Sequence, residues 1–106
     1  MITHKGKLPV GIEVDGVVHS DFELRPQLVR DSIDGLQDAK AVENESYLGL
    51  VMLASQILSL GSLPKERINA ELLMDALELD MKALMEGATK LRERLLTFRK
   101  ELTQSA

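Results

Sequence analysis

A change of hydrophobic period at Arg25-Pro26 constrains this chain more than any other feature of its sequence. Before it, apolar residues alternate on either side of Asp15-Gly16: Leu8, Val10 and Ile12, then Val18 and Phe22. Alternation around a central Asp-Gly is the pattern of an antiparallel β-hairpin, here over residues 8–24. After it, apolar residues recur three and four positions apart, the period of α-helices. A hairpin followed by helices is an α+β fold, mainly α. With 106 residues and 11.8 kDa, the chain has room for one domain, 1–106, with a helical part over 26–104.

The hairpin register depends on the length of its loop. A two-residue loop would set Ile12 opposite His19 and Val10 opposite Asp21, mixing apolar and polar positions on both faces. A three-residue loop, Val14-Asp15-Gly16 with Gly16 left-handed, pairs Ile12 with Val18 and Leu8 with Phe22. Because a one-residue slip turns every side chain to the other face, the three-residue loop is expected. A lone hairpin is marginal in water, so its apolar face must lie on helices or on a partner.

About four helices are expected. Pro26 suits the first position of a helix carrying Leu28, Val29, Ile33 and Leu36, closing near Gly35. Asp34, Asp38, Glu43 and Glu45 then make residues 34–45 an acidic, solvated connection. From about Val42 to Leu60 the chain is apolar nearly all round, which predicts a buried central helix over Tyr47 to Leu60. Gly61 would be its left-handed cap, with Pro64 blocking continuation. Asn69 can cap a short helix through Leu72, Leu73, Ala76 and Leu77, and Asp80 can cap the last and longest. Along that last helix Met81, Ala88, Leu95 and Leu102 alternate with Leu84, Leu91 and Phe98 in heptad spacing.

Composition removes several function classes. There is no Cys, so thiol nucleophiles, thiolate zinc sites and disulfides are excluded. The opening MITHKGKLPVG lacks the apolar core of a secretory signal, and no apolar run reaches the length of a bilayer span. A cytoplasmic location is therefore expected. A formal net charge of −4 argues against a generic nucleic-acid binder. His19-Ser20-Asp21 holds the residue types of a hydrolase triad, but neighbours on a strand point to opposite faces. His4 and His19 without Cys make no tetrahedral metal set, and no phosphate-cradling glycine pattern occurs. An enzyme is not expected, and no catalytic residue, metal or cofactor is assigned.

Two surfaces remain. Lys90, Arg92, Arg94, Arg99 and Lys100 form a basic face on the last helix, able to touch phosphates or an acidic partner. Met74, Met81 and Met85 cluster where the last two helices meet. Met is flexible and polarizable, and serves surfaces that accept varied apolar partners. The candidate partner-binding residues are Met74, Leu77, Met81, Leu84, Met85, Leu91 and Phe98. The heptad residues could also support a homo-oligomer.

Several segments resemble the tail assembly chaperones of Mu-like tailed phages and prophages. The opening LPVGIEVDGVVHSDFELR is similar to that family's N-terminal hairpin, with Leu8-Pro9, Asp15-Gly16, His19, Phe22 and Leu24-Arg25 in matching places. LASQILSLGSLP resembles the family's apolar helix ending in Leu-Gly and a Leu-Pro loop. INAELLMDALELDMKALMEGATKL resembles its C-terminal leucine spacing. Together these cover about Leu8 to Leu95, and the motifs are structural rather than catalytic. Pro26 directly after the hairpin departs from the family's usual polar residues there. The resemblance implies a non-virion factor of the bacterial host cytoplasm that keeps the tape measure protein soluble while tail tube subunits polymerise. It also implies contact with the tail tube protein and with a frameshifted longer form of the chain itself. A small nucleic-acid-binding regulator and a structural tail component are the alternatives.

Overall fold

A computed structural model describes residues 1–105, and the side chains of residues 1–98. The expected Leu102 of the heptad and the basic Arg99 and Lys100 lie outside the described side chains. Strands β1 (His4–Val14) and β2 (Val17–Leu24) form the hairpin. Helices α1 (Val29–Gly35), α2 (Ala39–Glu43) and α3 (Glu45–Gln56) follow. Strand β3 (Ile57–Leu60), a 3-10 turn at Lys65–Arg67, α4 (Ala70–Met74) and α5 (Glu78–Ser105) complete the chain. The sheet is antiparallel in the order β1-β2-β3. The α+β fold with an N-terminal hairpin and a longest C-terminal helix is as expected, with five helices among the described residues rather than about four.

The hairpin corrects the expected register. Val14 pairs with Val17, so the loop is the two residues Asp15-Gly16, with φ of 52° and 80°. Two positive φ angles match the right-handed twist of the strands, which a wider loop would not improve. The faces are not scrambled, because β1 absorbs extra residues between Lys7 and Ile12. Ile12 then shares its face with His19, while Gly6 lies opposite Phe22. Ile12, His19, Phe22 and Leu24 are all buried.

This bulge is held by a side chain from the far end of the chain. The N–H groups of Val10 and Gly11 leave the ladder and donate to the two carboxylate oxygens of Asp80, at 2.9 and 3.0 Å. Gly11 has φ of 100°, and a β-carbon there would meet Val18 and Ser20 side chains, so glycine is required. Asp80 is fully buried. It lies inside the first turn of α5 rather than capping it, since α5 begins at Glu78. A carboxylate in the first turn also meets the positive end of the helix dipole.

The long central helix is a second correction. Asn44 caps α3, accepting the Ser46 and Tyr47 N–H groups, and α3 ends at Gln56. The chain then continues as β3, adding a third strand beside β2. A short apolar run such as Ile57-Leu58-Ser59-Leu60 fits either element by pattern, and here the open edge of β2 decides it. Gly61 is left-handed as expected, but it turns the chain out of β3, with its N–H on the Asp21 carbonyl. A buried His19 packs against this turn, its Nδ1 accepting the Ser62 N–H.

Helix α1 starts at Val29, not at Pro26, which stays in the extended connection. Arg25 and Asp31 bracket that connection. Their side chains form a bidentate pair at 2.8 and 2.9 Å, and Asp31 also accepts the Leu28 N–H. Asp31 is 3% exposed. The paired guanidinium holds its carboxyl below the usual carboxylate range, and the same bond raises Arg25. The expected acidic connection is in part helical: Asp38 caps α2 by accepting the Lys40 N–H.

One core joins these elements. Leu8, Phe22, Leu24, Leu53, Ile57, Leu60, Leu73, Leu84 and Leu91 are buried together. Helix α5 supplies Leu84 and Leu91 to it and lies mainly against β1. Leu84 and Leu91 therefore face the sheet, not a second helix. A smaller cluster of Ala41, Tyr47 and Ala70 ties α2, α3 and α4.

Candidate partner-binding surface

The end of α4 and the first turns of α5 are positioned from two sides. Asn69 caps α4 by accepting the Leu72 N–H, as its sequence position predicts. Leu73 anchors α4 in the core, and Asp80 and Leu84 anchor α5. Between these anchors the chain turns, with the Asp80 and Met81 N–H groups on the Leu77 carbonyl. A helix side chain not needed by the core must point outward, and here several apolar ones do.

The seven candidate residues divide accordingly. Met74, Leu77 and Met85 are each more than half exposed, and Met81 is half-buried against the core. Leu84 and Leu91 are 0% and 1% exposed, so they are core residues and not available to a partner. Phe98 is exposed but lies thirteen residues beyond Met85, about 20 Å along the helix, and is a separate feature. Leu79, 62% exposed, was missed by heptad reasoning because it lies outside the heptad positions. Met74, Leu77, Leu79 and Met85 are thus the exposed apolar side chains around the α4–α5 junction. Next to it, a shallow face on α5 carries Lys82, Glu86, Lys90 and Glu93 around Met85.

Another concave feature is an open cleft of about 400 Å³ between α3 and α4, lined by Tyr47, Val51, Lys65, Ile68 and Glu71 among others. Its polar groups are engaged with one another. Tyr47 donates to Glu71 Oε1 at 2.8 Å, and Lys40 reaches the same oxygen at 2.9 Å. Lys40 holds the Glu71 carboxyl low, and Glu71 in turn raises the Tyr47 hydroxyl. Lys65 donates to the Ala54 and Ile57 carbonyls, closing the end of α3, and burial lowers it. These contacts tie α2, α3 and α4 together.

The basic face is partly committed as well. Arg94 donates to the Thr3 carbonyl at 2.9 Å, holding the N-terminal segment against α5. Lys90 and Arg94 stand near His4, which burial, and then these two charges, pull below its ordinary value. Among the described residues, no group of His, Asp and Glu could hold a metal ion, and no helix is long and apolar enough to cross a membrane. No family model, no curated protein and no solved structure matches the chain.

Proposed function

We propose that the protein is a tail assembly chaperone that binds the phage tape measure protein and keeps it soluble during tail assembly. The observation that carries this reading is the exposure of Met74, Leu77, Leu79 and Met85 around the α4–α5 junction of a well-packed domain. The core is closed without these side chains, so their exposure is not a packing failure. Exposed, flexible methionine and leucine side chains suit the apolar seam of a helical client, which the resemblance of the sequence supplies as the client class. The tail tube protein and a frameshifted longer form of the chain are further partners on the same reading. So are a host-cytoplasmic location and absence from the mature virion.

Co-expression of a tape measure segment tests this. Met74→Asp and Met85→Asp remove exposed side chains, so each variant should keep the thermal stability of the parent. Burying one methionine is worth about 1.5–3 kcal/mol, so each should weaken client binding about tenfold or more. Binding should persist at high salt, because burial of apolar surface drives it. Steep weakening with salt, together with sensitivity to Arg92→Glu, would instead identify a nucleic-acid-binding regulator that uses the basic face.

A further inference from the structure

Helix α5 buries one side and leaves the opposite side without a neighbour. Asp80, Leu84, Gly87 and Leu91 are buried and point into the fold. At about 100° of rotation per residue, Leu79, Lys82, Glu86, Lys90, Glu93 and Leu96 fall within an arc of about 120° on the other side. All six are exposed, Leu79 and Leu96 by more than half. Met85 and Thr89 complete this face, with Lys90 at its margin. Its shallow middle is lined by residues of α5 alone, so no other element packs on it among the described residues. A helix face that the rest of its own chain leaves bare is open to a partner.

The order of side chains along this face selects the partner. Leu79 and Leu96 are equidistant from a point between Gly87 and Ala88, and so are Lys82 and Glu93. Glu86 and Lys90 match to within one residue. Turned end for end, the series Leu, Lys, Glu, Lys, Glu, Leu becomes Leu, Glu, Lys, Glu, Lys, Leu. A copy laid antiparallel therefore meets leucine with leucine at both ends, and opposite charges between. A parallel copy would set lysine on lysine and glutamate on glutamate. Antiparallel helices also bring opposite dipole ends together. We infer that a second copy of this chain covers this face, α5 pairing with α5 about a two-fold axis. Leu79 of each copy meets Leu96 of the other, Lys82 meets Glu93, and Glu86 meets Lys90, with Met85 and Thr89 close to the axis. A contact of one helix with one helix lies below the size of a standard stable interface, which gives a dissociation constant on the order of 100 μM. Leu79 and Met85 also belong to the surface proposed for the client, so the two occupants exclude one another there. The dimer does not rest on that reading and is tested with the chain alone.

Sedimentation equilibrium and cysteine cross-linking of the full chain test the inference. The wild-type mass should rise from 11.8 kDa toward twice that value over about 1 μM to 1 mM. Lys82→Glu alone and Glu93→Lys alone should each weaken self-association about tenfold, since each sets like charges together twice. Mixed in equal amounts, the two variants should associate within about threefold of wild type, because both ion pairs are then restored. The chain has no cysteine, so introduced ones report the register. Leu79→Cys and Leu96→Cys, mixed under mild oxidation, should form a disulfide about tenfold faster than either variant alone. In the antiparallel pairing the two positions meet, whereas each lies about 26 Å along the axis from its own copy, beyond the reach of a disulfide. The cysteine pair also decides the matter if a charge reversal fails to fold. A wild type that stays monomeric throughout overturns the inference. So does a dimer indifferent to both reversals, a mixture of reversals that associates no better than its components, or a single cysteine variant that cross-links as fast as the mixture.

Discussion

Replacing Asp80 by alanine is expected to destabilise the protein by about 3–5 kcal/mol. The carboxylate is fully buried and accepts the Val10 and Gly11 N–H groups, which the bulge has withdrawn from the hairpin ladder. Without it the Val10 and Gly11 N–H groups lose two bonds to a charged acceptor, each worth about 1.5–3 kcal/mol. The helix that presents Asp80 also loses a favourable charge in its first turn. Asp80→Asn should cost less than alanine, because its one carbonyl oxygen can still serve one of the two N–H groups. Urea unfolding measures both. The expected order is wild type, then asparagine, then alanine, and an alanine variant within about 1 kcal/mol of wild type would show that the bulge finds other acceptors. A domain of this size is stable by only about 5–15 kcal/mol, so the contact between residues seventy positions apart is a large share of the whole.

The Arg25–Asp31 pair should show an effect of similar size. Arg25→Ala leaves the nearly buried Asp31 carboxylate with the Leu28 N–H as its remaining bond, and is expected to cost about 3–5 kcal/mol. Replacing both residues together, Arg25→Met with Asp31→Leu, should cost much less, because no charge is then stranded. The pair also sets an acid dependence. Asp31 has its pKa lowered in the folded protein, first by the bond from Arg25. Its contribution is therefore complete above the unfolded value of about 3.9 and is lost as the pH falls through the lower folded value. Unfolding measured from pH 5 downward should show the Arg25→Ala variant losing less stability with acid than wild type does. Parallel curves would mean that the pair contributes nothing to acid sensitivity.

These two contacts also show where a single sequence stops being legible. The hairpin, its Asp-Gly turn and the Asn69 cap follow from local pattern, because period and cap chemistry are written in neighbouring residues. The bulge is not local. Leu8-Pro9-Val10-Gly11 can leave the ladder only because Asp80 receives its N–H groups, and nothing near residue 10 announces this. The same holds for β3: Ile57 to Leu60 reads as a helix continuing until the free edge of β2 is placed beside it. By pattern alone Asp31 is one more charge at the start of an acidic stretch, whereas Arg25 makes it a buried residue. For the candidate surface, heptad spacing found the right helix but could not separate the side facing the sheet from the side left free. Spacing alone therefore groups Leu84 and Leu91 with Met74 and Met85 and does not reach Leu79.

On the proposed function, the exposed Met74, Leu77, Leu79 and Met85 receive a helical tape measure segment. Backbone hydrogen exchange of the protein, free and bound to such a segment, tests this directly. The account predicts new protection over residues 74–86, retained at high salt, with exchange over the β1–β2 hairpin unchanged. Protection confined to residues 90–98 and lost with added salt, or no new protection while the segment stays soluble, would contradict it.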